Sequence, residues 1–157
     1  MNDSMSAIGM DENRLRHCRG VGMKASELGR TLFGWSDAKC REMFVMGYLH
    51  DVGYQFAQEQ SEHEELGGAL LRSLGFAYWA EIFHHGDPDS DYQSDELLVL
   101  NLADMLTSKD GSATTIPARL TDIASRYGVE STQYVAAKKL ADVLVAHVKE
   151  IDGSHEI

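Results

Sequence analysis

Seven histidines occur in 157 residues, and the company they keep matters more than their number. His50-Asp51 closes an apolar run, residues 43–49, just before Gly53. At a helix C-terminus the backbone is freer and the negative end of the helix dipole favours a cation, so an imidazole and a carboxylate side by side could turn toward one ion. Taken alone, the pair reads first as a solvated turn. His84-His85 stands at a second helix end, before Gly86, where histidine also serves as an ordinary terminal residue. His17 falls on the first helical stretch beside Val21, Lys24 and Leu28, and His63 in the first turn of another, flanked by Glu62, Glu64 and Glu65. Each of these two, alone, is a packed or a solvent-facing histidine. His147 sits between apolar positions and is read as structural, and His155 lies in the tail.

Asp104 changes the balance. It belongs to a stretch, residues 97–106, that is apolar almost all round and must therefore form a central helix. Asn101 shares a polar stripe with it and is placed to orient a ligand from behind. A buried carboxylate without a partner costs several kcal/mol, so it is paired or bound to a metal. No Lys or Arg occurs between Leu74 and Thr107, which removes a local ion pair and leaves a metal or a distant cation such as Arg14 or Arg19. Nitrogen and oxygen donors without cysteine suit Fe, Mn, Co, Ni or Zn rather than a thiolate zinc site. Histidines at two helix ends, two more on helices and a buried Asp could converge inside one bundle.

The elements that must position these residues are helical throughout. Leu15, Cys18, Gly22, Ala25, Gly29 and Leu32 recur at steps of three and four, and Gly34 ends that segment. Ser36 caps a second helix expected to run to Gly53. Ser61-Glu62-His63-Glu64 reads as a capping box opening a third. A short helix from about Phe76 ends at His84-His85-Gly86, and an acidic loop follows from Asp87 to Asp95. Ser94 caps the central helix, Thr115 and Pro117 open the next, and the last runs from about Thr132 to Glu150. No segment shows a sustained period of two. The expectation is an all-α single domain over residues 11–151 with about six or seven helices, residues 1–10 and 152–157 being frayed ends.

Bulk properties narrow the partners. The formal charge of −11 speaks against nucleic acid and against an anionic membrane surface. A small anionic substrate remains compatible where bound cations reverse the local field. Two cysteines, Cys18 and Cys40, make no disulfide framework, and neither a leader-like start nor a membrane-length apolar run is seen. These features predict a cytoplasmic monomer or homodimer.

The order His17 … His50-Asp51 … Asp104 resembles the H…HD…D pattern of the HD-domain superfamily of metal-dependent phosphohydrolases. RHCRGVGMKASELGR is similar to that family's first helix, MGYLHDVGY to its HD signature and NLADMLTS to its final Asp segment. The likeness covers Leu15 to Ser108, roughly 60% of the chain. It implies a helical bundle whose metal ligands are His17, His50, Asp51 and Asp104. His63 with one of His84 and His85 adds the H…HD…H…H…D pattern of the two-metal branch, which includes symmetrical dinucleoside tetraphosphate hydrolases. Gly86-Asp87-Pro88-Asp89 lacks the G-Y-P signature of the cyclic-dinucleotide phosphodiesterases, which sets that activity aside.

The resemblance thus implies one or two divalent transition-metal ions, iron first. The implied reaction is hydrolysis of a phosphorylated small molecule, a nucleotide phosphoester or phosphoanhydride, by a metal-activated hydroxide. Asp51 would bridge the ions, Asp51 and Lys109 would be catalytic, and Arg14, Arg19 and Lys24 would hold phosphate. Tyr54 departs from the pattern, since many relatives carry a basic residue there. Alternatives are a one-metal nucleotidase, a di-iron oxygenase of the same fold, and a non-catalytic module that binds metal or nucleotide.

Overall fold

Asp11 opens the first helix by accepting the Arg14 N–H on its side chain at 2.7 Å. The structure, a computed structural model, describes residues 11–55 and 62–152. Helix α1 runs Glu12–Phe33 and stops at Gly34, whose φ of 63° no β-carbon opposes. Ser36 caps α2, Asp37–Leu49, through the Lys39 N–H. A 3-10 turn follows, Val52–Gln55, and then α3, His63–Ser73, and α4, Trp79–His84. Ser94 caps α5, Asp95–Met105; Thr115 caps α6, Ile116–Tyr127; Ser131 caps α7, Thr132–Ile151. Among the described residues there are seven α-helices and no strand, which makes the fold all-α as the periodicity predicts. None of these helices is long and apolar enough to cross a membrane.

Three boundaries differ from the sequence expectation. Helix α2 ends at Leu49, not Gly53, because His50 and Asp51 leave the helix to reach the interior. The short helix begins at Trp79 instead of Phe76, since Gly75, at φ 77°, and residues 76–78 turn the chain first. Asp152 closes α7 with its N–H on the Val148 carbonyl at 2.8 Å and so belongs to the helix end, not to the tail. Ser61, the expected cap of α3, and the expected frayed residues 1–10 and 153–157 lie outside the described residues. Glu62 holds the cap position of α3 and makes no side-chain cap bond.

The core forms around α5. Val99, Leu100, Leu102 and Ala103 are fully buried there, and each large aliphatic side chain so enclosed contributes about 1.5–3 kcal/mol. Helices α1, α2, α4 and α7 pack against this helix. The pair α1 and α2 packs along its length and crosses closely at Gly22 and Gly47, where a β-carbon on Gly47 would stand 2.7 Å from the Gly22 Cα. The close approach of the two helices brings the rings of His17 and His50 to 5.3 Å between centroids. Helix α6 packs chiefly on α7 and buries only Ile116.

Candidate metal centre

Four histidines and two aspartates from five segments of the chain converge at one place. His17 comes from α1, His50 and Asp51 from the end of α2, His63 from the first turn of α3, His85 from the residue after α4, and Asp104 from α5. The ends of α2 and α4 use one device. His50 Nδ1–H donates to the Gly47 carbonyl at 2.6 Å, and His85 Nδ1–H to the Ile82 carbonyl at 2.5 Å. Each imidazole thereby satisfies a carbonyl of its own helix end, three residues back, and its Nε2 projects beyond that end. His17 Nδ1–H donates to the Ser108 carbonyl at 2.9 Å. In all three rings the backbone fixes the proton on Nδ1 and leaves Nε2 as the ligand atom, the tautomer a metal requires.

The Nε2 atoms face carboxylates. His17 Nε2 lies 2.9 Å from Asp104 Oδ1 and 3.9 Å from Asp51 Oδ2. Asp51 Oδ1 lies 3.3 Å from His50 Nε2, 3.3 Å from His63 Nε2 and 3.7 Å from His85 Nε2. His50 Nε2 is buried and has no hydrogen-bond partner, although Asp104 Oδ1 stands 3.5 Å away. Orphaned buried nitrogens are rare and call for a ligand. The ligand atoms of His17, His50 and Asp51 lie within 4.8 Å of one another, as do those of Asp51, His63 and His85, and those of His50, His85 and Asp104. This all-nitrogen-and-oxygen donor set fits a divalent transition ion, and Asp51 belongs to a group on each side.

Burial raises the cost of charge here, and the ligands offset it by pairing. Burial alone would lift the Asp51 carboxyl, but His50, His63 and His85 hold it well below the usual carboxylate range. His50 and His17 do the same for Asp104, whose side chain is 28% exposed at the floor of a cavity. Burial would also disfavour protonated His85, yet the Asp51 carboxylate overrides it and the imidazole is pushed up to about 9. Burial lifts the Cys18 thiol far above its ordinary value, so no thiolate nucleophile stands at this site.

Gly53 fits the third helix to the second. A β-carbon there would collide with the His63 carbonyl and stand 2.7 Å from the Gly67 nitrogen. The glycine of the HD-V-G segment therefore admits the first turn of α3, which is what brings His63 to Asp51.

A cavity of about 460 Å³ opens over the cluster. His17, Asp51, His63 and Asp104 line it together with Arg14, Tyr54 and Lys109. Arg14 Nη1 donates to Asp51 Oδ2 at 3.2 Å. A larger cavity, about 670 Å³, lies between residues 87–95, α5 and α7 and is lined by none of the clustered ligands; Asn101, which lines it, accepts the Gly86 N–H at 2.8 Å.

Not every residue singled out in the sequence arrives. His85 enters the cluster, whereas His84 turns outward, stacked on Tyr92 with its Nδ1 3.2 Å from Ser90 Oγ. At this helix end the two adjacent side chains point in different directions, and only that of His85 reaches the interior. Arg19 is exposed and lines no part of the cavity, because its position on α1 faces away from His17. Lys24 lies about two turns beyond His17 and pairs with Glu27 at 3.2 Å instead. Two arginines that the sequence reading passed over, Arg119 and Arg126, line the cavity from α6, as do Tyr127 and Ile123. Their signal was present: Arg119, Ile123 and Arg126 share one face of a strongly amphipathic helix. Tyr54 is the other omission, since it contacts both His63 and Arg14.

The family model described as HD domain matches residues 14–146. No curated protein and no solved structure matches the chain.

Proposed function

We infer that this chain, which belongs to the HD-domain family of metal-dependent phosphohydrolases, hydrolyses a phosphoester or phosphoanhydride bond of a nucleotide with two divalent transition-metal ions, iron first among the candidates. The observation that carries this reading is the position of Asp51, whose carboxylate joins His17 and His50 on one side and His63 and His85 on the other. His17, His50, Asp51 and Asp104 would hold the first ion; Asp51, His63 and His85 would hold the second.

Ions bound there would supply Lewis acidity, which acidifies water and offsets the charge of phosphoryl oxygens. The chain's own residues set the stage for that chemistry. The Nδ1–H bonds of His17, His50 and His85 keep each Nε2 lone pair directed inward. Asp51 and Asp104 stay ionised at neutral pH because the imidazoles surround them. Arg14, held on Asp51 and open to the cavity, meets the phosphoryl oxygens of a substrate that enters above the cluster. Lys109 is the second sequence-predicted cation at this cavity. The two-ion ligand set supports the likeness to the branch that includes symmetrical dinucleoside tetraphosphate hydrolases.

The test is elemental analysis of the protein as purified beside its Asp51→Ala variant, with a phosphoester panel run under an oxygen electrode. The wild type should carry nearly two metal equivalents and release phosphate without consuming oxygen, and the variant should lose both properties. One equivalent would restrict the reading to a mononuclear nucleotidase. Oxygen consumption in place of phosphate release would move the protein to the oxygenases, and an absence of metal even after reconstitution would overturn the reading.

A further inference from the structure

Besides Arg14, three cations gather at the cavity over the cluster, Lys109, Arg119 and Arg126, in a chain whose formal charge is −11. Lys109 follows Ser108, whose carbonyl accepts the His17 Nδ1–H, so the segment that carries it is tied to the centre. Arg119 and Arg126 stand seven residues apart on α6, two turns along one face. Asp122 lies between them, 3.5 Å from Arg119 Nη1 and 3.2 Å from Arg126 Nε. One carboxylate thus braces two guanidinium groups and leaves a net positive charge.

Their hydrogen-bonding capacity is largely unspent. An arginine offers five N–H donors. Among the described residues, Arg119 has only the 3.5 Å contact to Asp122, and its buried Nε has no partner. Lys109 pairs with no carboxylate among the described residues, although Asp110 is its neighbour in sequence. A merely solvated helix face would extend its arginines into water, but the Arg119 side chain is only 18% exposed.

We propose that Lys109, Arg119 and Arg126 form a second anion subsite, which holds a phosphoryl group of the substrate other than the one transferred at the cluster. The subsite selects compounds with two or more phosphoryl groups over monophosphates. It rests on the phosphohydrolase reading for its biological meaning, while the binding it asserts is independent of turnover. Guanidinium groups match phosphate oxygens in charge and in fork geometry; the two arginines come from α6, which carries no metal ligand, and Lys109 from the segment between α5 and α6.

The experiment is calorimetric titration of the full chain as purified with inorganic tripolyphosphate and with orthophosphate at one ionic strength. The wild type should bind tripolyphosphate at least tenfold more tightly than orthophosphate. The double variant Arg119→Gln/Arg126→Gln should lose most of that preference with orthophosphate affinity unchanged, and Lys109→Gln, in an exposed segment, should narrow it several-fold. Equal affinities in the wild type, or a full preference retained in the double variant, would overturn the subsite. Should circular dichroism show the double variant unfolded, Lys109→Gln decides alone, and an undiminished preference there has the same meaning. A preserved preference in a protein that hydrolyses no phosphoester leaves the subsite standing and removes the phosphohydrolase reading. Hydrolysis with no preference does the reverse.

Discussion

Tyr54 lies flat on His63, with ring centroids 4.0 Å apart and 19° between the planes, and the Arg14 guanidinium sits 3.5 Å from the same ring centre. Both partners are at contact distance above the ring, so they occupy opposite faces. Tyr54 therefore couples a ligand of one half of the centre to the cation that also holds Asp51. After the HD-V-G segment this chain has an aromatic ring, and the positive charge on Asp51 comes from α1.

Tyr54→Leu should consequently lower kcat/KM about tenfold, within the range of a partly desolvated cation–π contact, while metal content stays near that of the wild type. Tyr54→Phe keeps both ring contacts and should retain most of the activity. Steady-state kinetics beside elemental analysis checks this, and equal losses in the two variants would show that the stacking does not position Arg14.

The neighbours His84 and His85 should behave oppositely. His85→Ala removes a nitrogen that faces Asp51, so metal content should fall from nearly two equivalents to about one. His84→Ala removes the ring contacts to Tyr92 and Phe83 and the contact to Ser90, none of which touches the cluster, and its metal content should match the wild type. Elemental analysis of the two variants separates the roles, and an unchanged ratio in His85→Ala would remove it from the ligand set.

Why the sequence separated some of these residues and not others is a matter of geometry. His50, Asp51 and Asp104 stood out because each combined a ligand type with an improbable setting, a helix end before glycine or a carboxylate on a helix apolar all round, whereas His17, unremarkable by itself, entered only through the order His17 … His50-Asp51 … Asp104. Capping serines and threonines at positions 36, 94 and 115, and the left-handed Gly34, gave the helix ends by local chemistry. His84 and His85 could not be told apart, because which of two adjacent residues turns inward depends on the Nδ1 bond to the Ile82 carbonyl, which pins His85. Arg19 and Lys24 lie near His17 in sequence and away from it in space. Arg119 and Arg126 share a helix face that the sequence displays, but that this face meets the cavity is a tertiary relationship that no local pattern reports.

Asn101 supports the centre from behind. Its side-chain oxygen accepts the N–H of Gly86, whose φ of 79° is what turns the chain directly after His85. Asn101→Leu leaves that N–H without its acceptor at a cost of about 1–3 kcal/mol. For a domain of this size the melting temperature should fall by about 2–4 °C per kcal/mol, as measured by thermal unfolding of the chelator-treated protein. Asn101→Asp keeps an acceptor and should recover most of the loss. An Asn101→Leu protein as stable as the wild type would mean that the Gly86 N–H finds another partner.

Metal loading should depend on pH in a defined direction. In the metal-free protein burial disfavours protonated His85, but Asp51 outweighs burial and pushes its pKa up to about 9 from an ordinary 6.5. A raised folded-state pKa means that the protonated imidazole stabilises the metal-free fold fully below about pH 6.5, and that this contribution is lost as the pH rises through about 9. A ligand nitrogen must be free of its proton, so each ion bound through His85 near neutrality displaces one. Both effects act together: the metal-free protein weakens and the ion binds more tightly as the pH rises. The difference in melting temperature between loaded and chelator-treated protein should therefore widen from about pH 6 to about pH 9, and His85→Ala should flatten that rise. A difference that stays constant or narrows over the range would show that His85 does not release a proton to the metal.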